Sequence, residues 1–473
     1  MTRWAAATIL SLSLLAAGTL PAAAQTPDED PTRQQGQQEL ESTDLDGDGL
    51  LPDSTAPDDS ADPDLDLGST EAGVVYPNLG SSLSALAVAS ASPTTDDAAM
   101  DGAFTGPLLP EGANSTLTGE PVLLTIQLDA NRSEVLDFLD DNGVTPANVV
   151  GDYLEAYVPP TLLGALAQQT GVSRVREIPQ SFDDRGTLTA SSALSAHGAA
   201  TWHLNDYTGD GVKVGIIDTP TTATSKDGFT GLRSLLGTDL PQSVVGRCYT
   251  DVGKPTSSLS NCVAPGGDNH GTRVAASLMD VAPDADLYIA NPQSWADLHS
   301  SVVWMHGQGV KIIVQSVSWT HHGAADGTSP ISPSPLNTVK WASDNGITWV
   351  NSAGNNGKKS WYGSFADSDG DGYHEWSGSG STADEAQMFQ LSASASVYVS
   401  MRWDDTWGGS NKDLDLEVRY SATESGAQAV VGGSADVQSG GSSDYPLEGM
   451  YLPVDRAGYY WVYAKKKSAS AAP

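Results

Sequence analysis

The sequence predicts an α/β protein built on a doubly wound parallel sheet, preceded by a small α+β domain and followed by a β-sandwich-like domain. Three observations carry this. Between residues 211 and 351, short apolar runs rich in Val and Ile alternate with segments whose apolar residues recur at helical spacing, as strands covered by helices do. A shorter strand-helix alternation occupies 121–178. From Gln387 onward the helical period gives way to strands separated by Gly, Ser and Asp loops.

At the start, residues 1–24 combine Arg3, an apolar stretch from Ala5 to Leu20 and an Ala22-Ala23-Ala24 cleavage pattern. This reads as a secretion signal, too short to be a membrane span, and places the mature protein outside the cell. Residues 25–119 read as an acidic, low-complexity disordered linker. Fourteen carboxylates and Arg33 lie between Asp28 and Asp66 with no aromatic residue, and Ala, Ser, Thr, Gly and Pro dominate after Gly68. Asp44-Leu45-Asp46-Gly47-Asp48-Gly49 begins like a calcium loop, but Thr55 stands where a bidentate Glu is needed, so a solvated linker is the reading.

Residues 120–179 form the small α+β domain. Strands are expected over Pro121–Leu128, Tyr153–Val158 and Val172–Ile178, and helices over Arg132–Asn142, with Val135, Leu136 and Leu139 on one face, and Thr161–Gln169. A polar, extended connection follows from Gln180 to Ser195. The larger domain, 196–385, has strands at Gly211–Asp218, Ala285–Ala290 and Val310–Trp319 and another within Gly346–Gly357 that ends in a glycine-flanked amide, with helices over Ser294–Gly307 and Leu336–Asn345. The two cysteines, Cys248 and Cys262, are close together in an exported chain, so a disulfide is expected, with two buried thiols as the alternative. Residues 386–467 form the β-sandwich-like domain, and their Lys465-Lys466-Lys467 is too short for a nucleic-acid patch.

Charge narrows the partners. With 23 basic against 59 acidic residues, a formal charge of −36, the chain is a poor match for nucleic acid or an anionic membrane surface.

The chemistry-bearing residues cluster in the larger domain. Asp218 ends the apolar run Val214-Gly215-Ile216-Ile217, at the strand edge where ligands gather in an open α/β sheet. His270, in Asn269-His270-Gly271-Thr272, opens a small-residue helix, and a neutral imidazole held by a buried carboxylate can serve as a general base. Asn355, in Ala353-Gly354-Asn355, is a glycine-flanked amide able to donate to an oxyanion. These three motifs, in this order, resemble the subtilisin-like serine proteases, the subtilases.

That resemblance implies a subtilisin-like sheet, here incomplete, with Asp218 orienting His270, His270 as base and then acid, and Asn355 in the oxyanion hole. It implies that 120–179 is a propeptide that inhibits the cleft, and that the strand edge around Ser318 binds substrate backbone; Trp319 departs from the commoner glycine. The nucleophile's Gly-Thr-Ser-x-x-x-Pro signature has no match after Asn355. Gly327-Thr328-Ser329-Pro330-Ile331-Ser332-Pro333 matches on paper, but it precedes Asn355 and reads as a loop. The expectation is that the serine lies beyond Pro473.

After the Asn motif, Asp367, Asp369 and Asp371, with Gly370 and Glu375, fit most of a calcium loop, while Gly378 stands at the twelfth position. A structural calcium ion is therefore entertained against an acidic turn, and no catalytic cofactor is expected. The functional expectation is a secreted serine endopeptidase precursor acting on proteins or peptides. Its rival is a catalytically inactive homologue serving as a peptide-binding or calcium-dependent surface module.

Overall fold

A computed structural model describes residues 10–17, 76–91, 121–129, 131–178, 181–183, 197–219, 228–262, 270–319, 323–324, 326–354, 360–378, 384–393 and 395–467. In chain order, β1 (Leu10–Ala17) and α1 (Ser81–Ala91) precede the small domain of β2 (Val122–Leu128), α2 (Arg132–Asp141), β3 (Asn148–Val150), β4 (Tyr153–Val158), α3 (Leu163–Ala167) and β5 (Val172–Glu177). Its sheet is antiparallel in the order β3-β4-β2-β5. Leu124, Ile126, Leu154 and Val175 from the strands meet Val135, Leu139, Leu163 and Leu166 from the helices in one core.

Here the linker reading of 25–119 needs correction. Leu83, Leu86 and Ala87 of α1 are buried in that same core, and Leu79 bridges to Val175 of β5. The Leu83 and Leu86/Ala87 spacing is helical, but in so Ala- and Ser-rich a segment only the core it meets gives it stability.

The larger domain begins after β6 (Ser181–Asp183) and a short α4 (Ala199–His203). It contains β7 (Lys213–Ile217), β8 (Val245–Tyr249), β9 (Pro255–Thr256), α5 (His270–Val281), β10 (Asp286–Ala290), α6 (Trp295–Gly307), β11 (Ile312–Gln315), β12 (Val317–Trp319), α7 (Pro335–Asp344) and β13 (Thr348–Asn351). Six strands form one sheet ordered β13-β11-β7-β10-β8-β9, parallel except for β9. Alternation along β7 divides its two faces. Val214 and Ile216 pack with Ala275 and Met279 of α5, whereas Ile217 joins Leu298, Val302 and Met305 of α6 and Ala342 of α7. Gly215 lets Met305 lie close across the strand, because a Cβ there would meet the sulfur at 2.5 Å and push the side chain aside. Ser294 caps α6 by accepting from Asp297 N, and Ser334 caps α7 by accepting from Asn337 N.

The run 310–319, read as one strand, is broken at Ser316. Buried Gln315 donates its side-chain amide to the Val317 carbonyl at 3.0 Å, and the chain then leaves the parallel sheet as β12. That strand pairs antiparallel with β6, Ser318 opposite Phe182.

The last region comprises β14 (Ser360–Gly363), β15 (Gln387–Leu391), β16 (Ala395–Arg402), β17 (Leu414–Ser421), β18 (Ala429–Ser434), β19 (Leu447–Val454) and β20 (Gly458–Lys466). Two four-stranded antiparallel sheets, β14-β1-β16-β19 and β15-β20-β17-β18, share a core of Val397, Val399, Leu416, Val418, Leu452 and Val462. Two boundaries differ from expectation. Because β14 pairs here and Trp361, Phe365 and Trp376 pack on this core, the region starts upstream of residue 386. The segment read as a signal contributes β1, whose Leu10-Ser11-Leu12-Ser13-Leu14 has the strand period as well as an apolar character. No helix among the described residues is long and apolar enough to cross a membrane.

Candidate active site

Strand β7 delivers Asp218 to the sheet's C-terminal edge, where the Asp218 N–H donates to Ala290 O of the neighbouring β10. Helix α5 starts opposite it, with His270 as its first residue. His270 Nδ1 stands 2.9 Å from Asp218 Oδ2 and 3.2 Å from Oδ1. Since an ionised carboxylate only accepts, the proton of this bond sits on Nδ1, and the lone pair is left on Nε2.

Gly271 makes the approach possible. A Cβ there would lie 2.8 Å from Asp218 Cβ and Cγ and 2.9 Å from Phe229, so any side chain would push the helix terminus off the carboxylate. The terminus is pinned further by Gly271 N–H donating to Gly228 O and Thr272 Oγ1 donating to Thr230 O, each at 2.8 Å.

Asp218 is 1% exposed and His270 8%. Burial pushes the Asp218 carboxyl above its usual range, opposed by the hydrogen bonds from His270 and from Thr219, whose N–H donates to Oδ1 at 2.8 Å. A carboxylate so enclosed fixes the imidazole's tautomer and would stabilise a transient imidazolium.

Of the other residues singled out in the sequence, Asn355 lies outside the described residues. Ser318 sits in β12, which is paired with β6. Ser329 is in the loop before α7, where its hydroxyl accepts from Ile331 N–H at 3.1 Å and its carbonyl accepts from Asn337. Asp367, Asp369 and Asp371 each offer an oxygen within 4.8 Å of the others. These carboxylates cap their own turn, accepting from Gly370, Tyr373 and, at 3.3 Å, Asp371 backbone N–H groups, while Glu375 accepts from Ser368. Oxygen donors on a turn with Gly370 and Gly372 at positive φ suit a hard cation in kind, though the Glu is committed to Ser368. Cys248 and Cys262 are bonded, and both are fully buried.

One polar cluster escaped the sequence reading. Glu155 of β4, fully buried, reaches the N-terminus of α6 and accepts from Ser294 Oγ at 2.5 Å, Asn148 Nδ2 at 2.7 Å and Ala296 N at 3.3 Å. Asn148 also donates to Asp297 at 3.1 Å, so it bridges two buried carboxyl groups across the junction between the small and larger domains. Desolvation pushes Glu155 up to about 7 and Asp297 up to about 6. The available signal was a charge at the centre of the otherwise apolar run Tyr153-Leu154-Glu155-Ala156-Tyr157-Val158.

Comparison with known proteins finds the subtilase family over part of the chain. Residues 209–436 match Peptidase_S8, the subtilase family. A probable subtilase-type serine protease of Deinococcus radiodurans is 30% identical over 182 residues, which is 35% of this chain and 24% of that protein. The match thus spans about a quarter of the relative's length. Among solved structures, the epidermin leader peptide processing serine protease of Staphylococcus aureus aligns over 50% of this chain and 60% of its own, at 12% identity and a TM-score of 0.34. A mutant form of the same enzyme aligns at 14% identity, with the same TM-score, over 50% of this chain and 62% of its own.

Proposed function

We infer that this chain, which carries a subtilase-family domain over residues 209–436, is a secreted serine endopeptidase precursor in which Asp218 orients His270 as the general base. The observation that carries this is the buried 2.9 Å bond between Asp218 and His270 Nδ1, at the sheet edge where an α/β enzyme collects its reacting groups. In this reading His270 Nε2 takes the proton of a serine hydroxyl as it attacks the peptide carbonyl. It returns that proton to the leaving amine, and water then hydrolyses the acyl-enzyme. Asn355 is assigned, by its motif, to donate to the oxyanion.

The small domain is read as this enzyme's own inhibitor. Support comes from β6, which follows it directly and pairs antiparallel with β12 at Ser318, the edge assigned to substrate backbone. A segment seated there would have to leave before a substrate could pair. Asp367, Asp369 and Asp371 are proposed to hold a structural calcium ion beside the β-rich region, and chelation lowering the melting temperature would support this. An unchanged melting temperature would remove it.

A fluorophosphonate, which reacts with activated serines, tests the main reading on protein purified from its natural source. One labelled serine is expected, with labelling lost in His270→Ala. Labelling indifferent to that substitution, or no labelled serine, would overturn the assignment.

A further inference from the structure

A small enclosed cavity lies where all three regions meet. It has a volume of about 30 Å³ and is lined by Tyr153, Arg174, Arg176 and Glu177 of the small domain, Trp295 of α6 and Tyr445 of the β-rich region, among others. Much of its polar lining is already engaged: Tyr445 donates its hydroxyl to Gln127 at 3.1 Å, and Thr125 donates to Arg176 O at 3.3 Å. What remains is rich in donors. Arg174 Nε and Arg176 Nε are cut off from solvent with no hydrogen-bond partner, and so is Glu177 Oε1. Arg174 is 3% exposed. A buried donor left unmet has lost its hydration without replacement, and more so when it is charged, so these groups call for an occupant.

The local charge decides what kind. The two guanidinium groups share one close carboxylate, Asp436, at 2.5 Å from Arg174 and 3.8 Å from Arg176, with Asp444 4.0 Å from Arg174. Burial, aided by Asp436, pushes the Glu177 carboxyl up to about 8, which favours its protonated form. A cation would face the two guanidinium groups, which repel it. A monatomic anion fits a space of about 30 Å³ without displacing its lining.

We propose that this cavity is a binding site for a single halide-sized anion, chloride in solution, held by Arg174 Nε and Arg176 Nε at the three-region junction. The anion completes the hydrogen bonding of both arginines and ties the small domain to α6 and to Tyr445. This site does not depend on the peptidase reading.

The test is a crystal of the full chain grown with bromide in place of chloride. An anomalous peak within hydrogen-bond reach of both Nε atoms is expected; density there without anomalous signal would mean water alone and overturn the site. In solution, chloride replacing gluconate at fixed ionic strength should raise the melting temperature. Arg176→Met should abolish the gain, and Glu177→Gln, which keeps a donor, should retain it. Should Arg176→Met fail to fold, the bromide peak in the unsubstituted protein decides alone.

Discussion

Asp218 and Glu155 are both buried carboxyl groups beside a helix N-terminus, yet their surroundings give them opposite tasks. Asp218 faces an imidazole within its own domain, a partner that can become a cation, and its carboxylate form is supported by His270 and Thr219. Glu155 crosses a domain junction and meets another carboxyl group, Asp297, through the shared amide of Asn148. With no cation among the described groups that hold it, desolvation dominates and the neutral acid persists up to about 7. Burial raises both groups; the partner determines whether the site orients a base or seals an interface.

The largest effect should come from removing the charge at the first site. Asp218→Asn presents an amide to His270 Nδ1 and allows the wrong tautomer, so on the proposed reading kcat on a peptide substrate should fall on the order of 10⁴-fold, the loss seen for the same replacement in a serine-protease triad. A loss below tenfold would break the comparison, because Asp218 would then be a structural carboxyl like Glu155. At the second site, Glu155→Ala strips an acceptor from Ser294, Asn148 and Ala296 and opens a cavity, and should destabilise the full chain by about 4 kcal/mol in denaturant unfolding with little change in intrinsic peptidase activity.

The pH dependence sharpens the contrast. Glu155 titrates near 4.5 when unfolded and about 7 when folded, so the folded state keeps its proton longer. Its contribution is complete below pH 4.5 and is lost as pH rises through 7, up to roughly 3 kcal/mol. Melting temperatures measured from pH 4 to 8 should therefore fall more steeply in the natural protein than in Glu155→Gln, which stays neutral throughout. Parallel slopes would show that the pair is not the titrating element. Smallest is Ser294→Ala, which removes the cap of α6 and one donor to Glu155; about 1–2 kcal/mol is expected by thermal unfolding.

Much of this was legible in the sequence because it is local. The apolar run before Asp218, the small-residue helix after His270 and the helical spacing of Leu298, Val302 and Met305 all follow from periods of two or 3.6 residues that a chain displays without its partners. Helix α1 was hidden because Ala and Ser carry a weak periodic signal, and its burial depends on a core that begins more than thirty residues downstream. The division of 310–319 between two sheets turned on one side chain, Gln315, competing for a backbone carbonyl.

Local patterning was enough to read the alternation that makes a parallel sheet and the identity and order of the residues that could carry acyl transfer. Only the tertiary structure decided that Asp218 and His270, 52 positions apart, meet at hydrogen-bond distance. It alone decided that β6 lies along β12, and that Glu155 and Arg174 of the small domain are buried against other regions. The physical reason is that propensity and periodicity act over a few residues, whereas desolvation and charge pairing depend on which distant segments exclude water from one another.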